Sequence, residues 1–214
     1  MASPADSTYE FGYKLAYKIA WNTFSSVDIV EQCRRSDAEY LASKRAVKVP
    51  FLARDYLILL RENYVVAAKG SEEPSLREKI LVLHYFLNAK GTPPSGNTVT
   101  YKELKEGINY FPVFHKRVIS PIINFFGAKP ESLAVIAGFF GGVSAEYGDV
   151  AVTINAFPRV PVTYVLWRGD DDFPPQGSVM FDSNVNDYFT NDDIHALCEV
   201  LTWKIVRLLK THGD

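Results

Sequence analysis

The strongest structural signal in the chain lies in residues 146–189, EYGDVAVTINAFPRVPVTYVLWRGDDDFPPQGSVMFDSNVNDYF. Apolar and polar residues alternate from Val150 onward, the period-two pattern of a strand with one buried face, which predicts a strand over 149–156. Pro158 restricts the turn that follows, and VPVTYVLW after it is rich in β-branched and aromatic residues. A third short strand is predicted at SVMF, residues 178–181. These segments predict an antiparallel hairpin with the third strand returning beside the second.

Strand direction determines which polar side chains of this stretch can meet. Arg159 precedes the second strand and Asp170, Asp171 and Asp172 follow it, about 26 Å away at about 3.3 Å per residue. The third strand brings Asp182 back toward Arg159, whereas Asp149 lies toward the three aspartates. We therefore predict an Arg159–Asp182 pair at one end of the sheet and an acidic end opposite it.

Three motifs point to a known family: GDVAVTINAFPRVPVTYVLWRGDDDFPP, then VMFD, and upstream ILVLHYFLNAKGTPPSGNTVTYKEL. Together they resemble domain-of-unknown-function family 3786, found mainly in anaerobic bacteria and archaea, over most of the chain. The departures are Phe157, Arg168 and Tyr101-Lys102. The family has no established activity, but its members are often fused to an iron–sulfur module similar to that of the corrinoid iron–sulfur protein, whose cysteine cluster is absent here. The resemblance implies a role in anaerobic one-carbon or corrinoid metabolism.

Length and composition indicate one globular domain spanning residues 1–214. The chain has 214 residues, 47% of them hydrophobic, and a formal net charge of −2. A domain of this size buries roughly 70% of its unfolded surface. The near balance of charge argues against disorder and against nucleic acid as a partner. No apolar run is long enough to span a membrane, so membrane association is not expected either.

The two cysteines, Cys33 and Cys198, favour a cytoplasmic location. They are too few and too far apart for a zinc quartet, an iron–sulfur cluster or a secreted disulfide framework. Reduced thiols are therefore expected.

Helical and strand signals alternate along the rest of the chain. Phe11, Leu15, Ile19 and, less regularly, Trp21 and Phe24 form an apolar stripe, which predicts an amphipathic helix from Ser7 to about Phe24. Residues 47–68 predict a β-meander, and Val99–Tyr101 a short edge strand. Further helices are predicted over 110–126 and 130–140.

Two helices have clear boundaries. The capping box Ser75-x-x-Glu78 begins a helix that runs to Lys90, and residues 80–87 are apolar nearly all round, which predicts burial. Thr190 caps a long C-terminal helix over about 191–210. The fold class is therefore α+β: an antiparallel sheet of about five or six strands from both halves of the chain, packed by helices that include this buried central helix and the long C-terminal one.

His84 and its neighbour Tyr85 are candidate ligand-binding residues in the buried helix. Imidazole supplies a neutral nitrogen to a metal or to the central atom of a tetrapyrrole. The alternative is a core histidine whose ring nitrogens are hydrogen-bonded. No His-x-x-x-His or Cys-x-x-Cys spacing supports a transition-metal site.

The hairpin supplies the remaining candidates. Asp149, Asp170, Asp171 and Asp172 are candidate ligands for a hard cation, the alternative being a solvated loop. Arg159 and Asp182 can bind an anion together or simply hold the hairpin end, and Trp167 can stack on a planar ligand or pack in the core.

No nucleophile elbow, phosphate-binding loop or dinucleotide motif is present, and the sequence identifies no cofactor. We expect a cytosolic binding or accessory module in anaerobic metabolism, whose partner is a cofactor-like small molecule, such as a corrinoid or other tetrapyrrole, or another protein. The alternatives are a metal-dependent enzyme that uses Asp170–Asp172 and a purely structural protein-interaction domain.

Overall fold

A computed structural model describes residues 4–70 and 72–212, with side chains from residue 11 onward. The chain divides into two compact units. The first contains the residues up to Thr92 together with Asp187–Phe189, and the second contains Pro93–Asn186 and the chain from Thr190 onward. The single domain expected from the sequence stays a prediction.

The first unit combines three helices with a four-stranded antiparallel sheet in the order β1-β2-β3-β4. The meander over 47–68 is confirmed, and a further short strand, β1, precedes it and pairs with β2. The elements are α1 (Pro4–Phe24), α2 (Ile29–Ser36), β1 (Glu39–Leu41), β2 (Ala46–Phe51), β3 (Arg54–Leu59), β4 (Tyr64–Ala67) and α3 (Leu76–Asn88).

Helix α3 is the buried central helix that the sequence predicted. Ser75 and Glu78 form the expected capping box, with the Ser75 N–H and hydroxyl both donating to the Glu78 carboxylate, at 2.8 and 2.6 Å. Residues 78–83, Tyr85 and Phe86 are buried. His84 is only half-buried, so its expected place in the core interior is wrong.

Helix α1 is present, but only part of its predicted apolar stripe faces the core. Phe11, Leu15 and Ile19 are exposed, whereas Ala20 and Phe24 on the opposite side are buried. Phe24 stacks on Phe86 of α3 with ring centroids 5.3 Å apart. The helix packs on α3 through this second apolar face.

The second unit contains a five-stranded antiparallel sheet in the order β5-β9-β8-β7-β6, covered by helices. The α+β class is confirmed, and β5 and the other four strands come from different halves of the chain, as predicted. The meander forms a separate sheet of its own. The elements are β5 (Thr98–Thr100), α4 (Gly107–Phe114), α5 (Ser120–Phe126), α6 (Glu131–Gly138), β6 (Val143–Ala145), β7 (Val150–Phe157), β8 (Val160–Trp167), β9 (Gln176–Asp182) and α7 (Asn191–His212).

The hairpin and the long C-terminal helix follow the sequence closely. Strands β7 and β8 pair with Thr153 opposite Thr163, and their pairing is irregular between Asn155 and Phe157, next to the turn. Thr190 caps α7 as expected, because its hydroxyl accepts from the Asp193 N–H at 3.2 Å. Four apolar residues of α7, spaced three or four positions apart, are buried in the core: Ile194, Leu197, Leu201 and Ile205. Within the described ranges, no helix is both long and apolar enough to cross a membrane.

Candidate functional site

The predicted ligand-binding residues are divided between the two units. His84 and Tyr85 belong to the first unit, whereas Arg159, Trp167 and Asp182 belong to the second. Arg159 and Trp167 lie at opposite ends of β8, eight positions apart, or about 26 Å at the rise of an extended strand. A small ligand in the second unit therefore cannot contact both.

Tyr85 is part of the core of the first unit. Its side chain is fully buried, and its hydroxyl donates to the backbone carbonyl of Ser36 at 2.7 Å. Its ring stacks on Tyr188, with centroids 5.5 Å apart and planes at 20°. These contacts give Tyr85 a packing role.

Asp182 holds the loop before β5. Its carboxylate accepts from the backbone N–H groups of Gly96 and Asn184, at 2.7 and 3.0 Å, and from the Ser95 hydroxyl at 3.1 Å. Burial favours the protonated form, but hydrogen bonds from Ser95, Asn184 and Gly96 outweigh it and hold the pKa of Asp182 below its usual value.

The prediction that Asp182 pairs with Arg159 is therefore wrong, although the prediction that the two residues lie at the same end of the sheet is right. Phe181 pairs with Val162, so β9 does bring Asp182 to the hairpin end where Arg159 lies. The carboxylate instead accepts hydrogen bonds from the Ser95 hydroxyl and the Gly96 N–H. These donors satisfy its hydrogen-bonding capacity without a guanidinium group.

The acidic residues do not converge on a metal position. Asp149 accepts from the Arg168 N–H at 2.7 Å, and Asp170 accepts from the N–H groups of Asp172 and Phe173 at 2.9 and 2.8 Å. All the candidate aspartates are exposed. Among residues 4–70 and 72–212, no three or more His, Cys, Asp or Glu side chains come together as metal ligands. The loop has the geometry of a solvated, self-capping turn.

A cleft of about 580 Å³ opens at one end of the meander. Oppositely charged side chains and small residues line it: Ala53, Arg54, Asp55, Ala68, Lys69, Gly70 and Glu72. None of the predicted ligand-binding residues is among them, and no aromatic ring is available for a planar macrocycle to stack on.

Helix α4 is a feature that the sequence did not identify as functional. It packs against the rest of the second unit through one narrow face. A Cβ at Gly107 would lie 1.8 Å from the Tyr101 carbonyl oxygen, so only glycine permits this close approach. At the other end of the helix, the buried Phe114 ring stacks on Tyr101 with centroids 4.1 Å apart and planes at 10°.

The outer face of α4 is almost entirely apolar. Ile108, Tyr110 and Val113 are 66%, 56% and 45% exposed, and Pro112 is exposed beside them. Single exposed apolar residues are ordinary, but four within two helical turns, interrupted only by the exposed Asn109, give a surface of the kind that marks interaction sites. We call Ile108, Tyr110, Pro112 and Val113 the α4 surface.

The segment that carries the α4 surface has an unusual backbone. A π-helical turn, His115–Ile119, joins α4 to α5, and such turns recur at functional positions. Its side chains Val118 and Ile119 are buried, and the Ser120 hydroxyl and the His115 ring nitrogen Nδ1 lie 3.1 Å apart in a hydrogen bond. The patch is therefore presented by an anchored segment.

The rim of the α4 surface carries charges of both signs. Lys102, Lys105 and Lys116 are exposed, and the Lys102 ammonium lies 4.2 Å from the centre of the Phe111 ring. The Glu103 carboxylate accepts from the Thr100 N–H and hydroxyl at 2.7 and 2.8 Å, and Glu106 is exposed. The arrangement offers an apolar surface with a charged border, which suits binding rather than bond-making chemistry.

Comparison with known proteins gives a family. The model of the family described as domain of unknown function, DUF3786, matches residues 28–203. The chain belongs to this family. Neither a curated protein nor a solved structure matches the chain. The α4 surface lies inside the DUF3786 span, as does every site residue predicted from the sequence, whereas α1 precedes it.

The sequence did contain a sign of the DUF3786 chain's α4 surface. In GINYFPVF, apolar residues occupy nearly every position, whereas a helix covered on one side needs only a stripe. Such a helix is either buried on all sides by the rest of the protein or exposed for contact with a partner. The short loops around it do not indicate which of the two applies.

Proposed function

We propose that this DUF3786 chain is a non-catalytic protein-binding module that docks a partner protein through the α4 surface. The observation that carries the proposal is the exposure of Ile108, Tyr110 and Val113 on one anchored helix. Tyrosine and large aliphatic side chains on a firm backbone supply apolar contact area at low entropic cost, which is characteristic of interface centres. The partner's complementary surface is apolar, with acidic side chains opposite Lys102, Lys105 and Lys116.

A small-molecule site receives less support. Tyr85 is committed to the core and Asp182 to the loop at Ser95 and Gly96. The charged cleft beside Ala53 lacks the apolar walls of a tetrapyrrole pocket. A metal-dependent enzyme built on Asp170–Asp172 is disfavoured too, since the Asp170 carboxylate caps its own loop and all three aspartates are exposed.

The family resemblance suggests the cellular location and the metabolic context in which the module works. The module acts in the cytoplasm of an anaerobe, as an accessory protein of corrinoid or one-carbon metabolism. Cys33 and Cys198 are both buried free thiols, as suits a reducing compartment.

Site-specific photo-crosslinking tests the docking face. A photoreactive side chain is placed at Ile108, at Val113 or, as the matched control, at the exposed Asp171 of the acidic loop. We expect the same partner protein to be captured from 108 and from 113 and not from 171. Adding Tyr110→Asp should weaken capture about tenfold or more, since charge is poorly tolerated at an interface centre. Equal capture from all three positions, or none from 108 and 113, would contradict the proposal.

An absorption spectrum with elemental analysis of protein purified from an anaerobic host tests the rival functions. The docking proposal predicts neither a bound chromophore nor a stoichiometric metal. A tetrapyrrole spectrum would favour the small-molecule module, and one divalent ion per chain would favour the enzyme.

A further inference from the structure

The charged cleft of the first unit has the size of a small-molecule site. Its volume is about 580 Å³, and such sites occupy roughly 300–1,000 Å³. Three of its lining residues, Ala53, Ala68 and Gly70, have little or no side chain, and all three are exposed. The space between the charged side chains is therefore open to a ligand.

One wall of the cleft is the turn between β2 and β3, which is held in a strained conformation. Leu52 and Ala53 both have the left-handed backbone that disfavours side chains. Leu52 is buried and holds the turn against the core, and the Ala68 N–H donates to the Asp55 carbonyl oxygen at 2.8 Å. Strain that the surrounding structure maintains in this way is common at ligand-binding positions.

The opposite wall contains Lys69, Gly70 and Glu72, and it is anchored directly after Glu72. The Glu73 carboxylate accepts from the Lys79 ammonium at 2.6 Å, and the Lys79 side chain is only 7% exposed. Both walls are therefore fixed by contacts with the core of the unit, which lowers the entropic cost of binding a ligand between them.

The lining carries charges of both signs, with Arg54 and Lys69 as cations and Asp55 and Glu72 as anions. The Arg54 guanidinium lies 3.9 Å from the Glu72 carboxylate, and the two side chains are 64% and 74% exposed. That separation exceeds the length of a hydrogen bond, so the guanidinium donors remain for another acceptor.

Asp55 and Lys69 complete the charged lining. Within residues 4–70 and 72–212, neither the Asp55 carboxylate nor the Lys69 ammonium makes a hydrogen bond or an ion pair. Lys48 lies within electrostatic range of Asp55, but its ammonium is already paired with Glu39 at 2.5 Å. Arg54 and Asp55 are consecutive in β3, so their side chains leave the strand on opposite faces. A ligand that engages both needs two charges that are well separated.

We propose that the cleft binds a small zwitterion of the dipeptide class, with its carboxylate against Arg54 and Lys69 and its ammonium against Asp55. An ion of a single sign is repelled by half of the charged lining, and an uncharged apolar ligand finds no apolar walls. The ends of an extended dipeptide are about 7 Å apart, whereas a free amino acid carries both charges on one carbon. The inference is independent of the α4 surface, which belongs to the second unit.

The test uses the full chain and three probes: alanylalanine, its N-acetyl form, which keeps only the carboxylate, and its C-terminal amide, which keeps only the ammonium. Titrations followed by ¹H–¹⁵N correlation spectra give each affinity and show which backbone amides shift. We expect alanylalanine to bind at least about tenfold more tightly than either blocked form and to shift the amides of Ala53 and Gly70.

Four variants separate the two charges. Arg54→Gln should lower the affinity for alanylalanine to that of the amide, and Asp55→Asn should lower it to that of the N-acetyl form. Ala68→Phe, which fills the cleft and leaves its charges unchanged, should abolish binding. Arg61→Gln is the matched control, because Arg61 is an exposed arginine in the turn at the other end of β3 and should leave all three affinities unchanged.

Three results would overturn the proposal. The first is equal affinity for the three probes, or no binding of alanylalanine. The second is a loss of affinity in Arg61→Gln as large as that in Arg54→Gln, which would mean that net charge rather than the cleft attracts the dipeptide. The third is binding that survives Ala68→Phe, which would place the dipeptide elsewhere on the protein. Circular dichroism of each variant should match the wild type, because all four substituted residues are exposed.

Discussion

Among single residues, the turn between β2 and β3 carries a clear backbone cost. Leu52 and Ala53 have φ angles of 50° and 57°, the left-handed region in which a side chain costs roughly 1–2 kcal/mol. Two-residue hairpins normally place Asn or Gly here. Leu52 is buried, so its side chain anchors the turn, whereas Ala53 is exposed.

Ala53→Gly should therefore stabilise the protein by about 0.5–1 kcal/mol, the relief of strain less the greater entropy of glycine in the unfolded chain. The midpoint of urea unfolding measures the change. Ala68→Gly is the matched control, because Ala68 lines the same cleft without a positive φ and should lose stability. The strain argument fails if both substitutions destabilise alike.

Asp182 makes a pH-dependent contribution to stability. Its folded-state pKa is below the unfolded value of about 3.9, so its contribution is fully present above that pH and is lost as the pH falls through the folded pKa. Asp182→Asn should cost about 1–3 kcal/mol at pH 7, because an amide cannot accept all the hydrogen bonds that reach the carboxylate.

Urea unfolding at pH 7 and at about pH 3 measures this contribution, since the gap between wild type and Asp182→Asn should narrow in acid. Asp171→Asn, in the exposed loop, should change stability by less than about 0.5 kcal/mol at either pH. A gap that stays constant with pH would mean that the carboxylate's charge contributes nothing.

At the scale of the elements, the C-terminal end of α3 is capped by a side chain from another helix. The Gln32 amide nitrogen of α2 donates to the carbonyl oxygens of Phe86, Leu87 and Ala89, at 2.5, 3.2 and 3.0 Å. These are carbonyls that a helix end leaves without internal donors. Helix α2 therefore supplies the C-terminal cap of α3.

Gln32→Glu should destabilise the protein more than Gln32→Ala, although glutamate has the shape of glutamine. Alanine only removes the donor, at about 1–3 kcal/mol, whereas a carboxylate also places negative charge against carbonyl oxygens at the negative end of the helix dipole. Thermal unfolding of the two variants gives the order. The reverse order would show that Gln32 acts through packing alone.

Helices and strands that depend on short-range sequence signals could be predicted from the sequence. Their contacts with residues far away in sequence were harder to predict. The pattern of apolar and polar residues predicted β7 and β8, and the Ser75–Glu78 capping box predicted the start of α3, because both signals lie within a few residues of the chain. The partner of Asp182 comes from Ser95 and Gly96, far away in sequence. Periodicity also cannot separate the two apolar faces of α1, so the predicted stripe joined the exposed Phe11, Leu15 and Ile19 to the buried Phe24.

At the scale of the whole molecule, the path of the chain joins the two units. The first unit is completed by Asp187–Phe189, whereas Asn186 and Thr190 on either side belong to the second unit. Tyr188 and Phe189 are buried, and Asp187 accepts from the Lys90 ammonium and the Thr92 hydroxyl at 2.9 and 2.6 Å. The first unit therefore cannot form completely while the chain around residue 187 is unfolded.

From this connectivity we expect the units to unfold together, in keeping with the single domain that the sequence predicted. The three tryptophans allow a direct measurement, because Trp21 lies in the first unit and Trp167 and Trp203 lie in the second. Fluorescence of Trp167→Phe/Trp203→Phe reports the first unit, and fluorescence of Trp21→Phe reports the second. Each should lose its signal at the urea midpoint that far-ultraviolet circular dichroism gives for the same variant, as all-or-none unfolding requires. Tyr188→Ala, which removes a fully buried ring, should lower the midpoint of both signals together. If Tyr188→Ala lowers only the Trp21 signal, the units unfold separately and the chain has two domains.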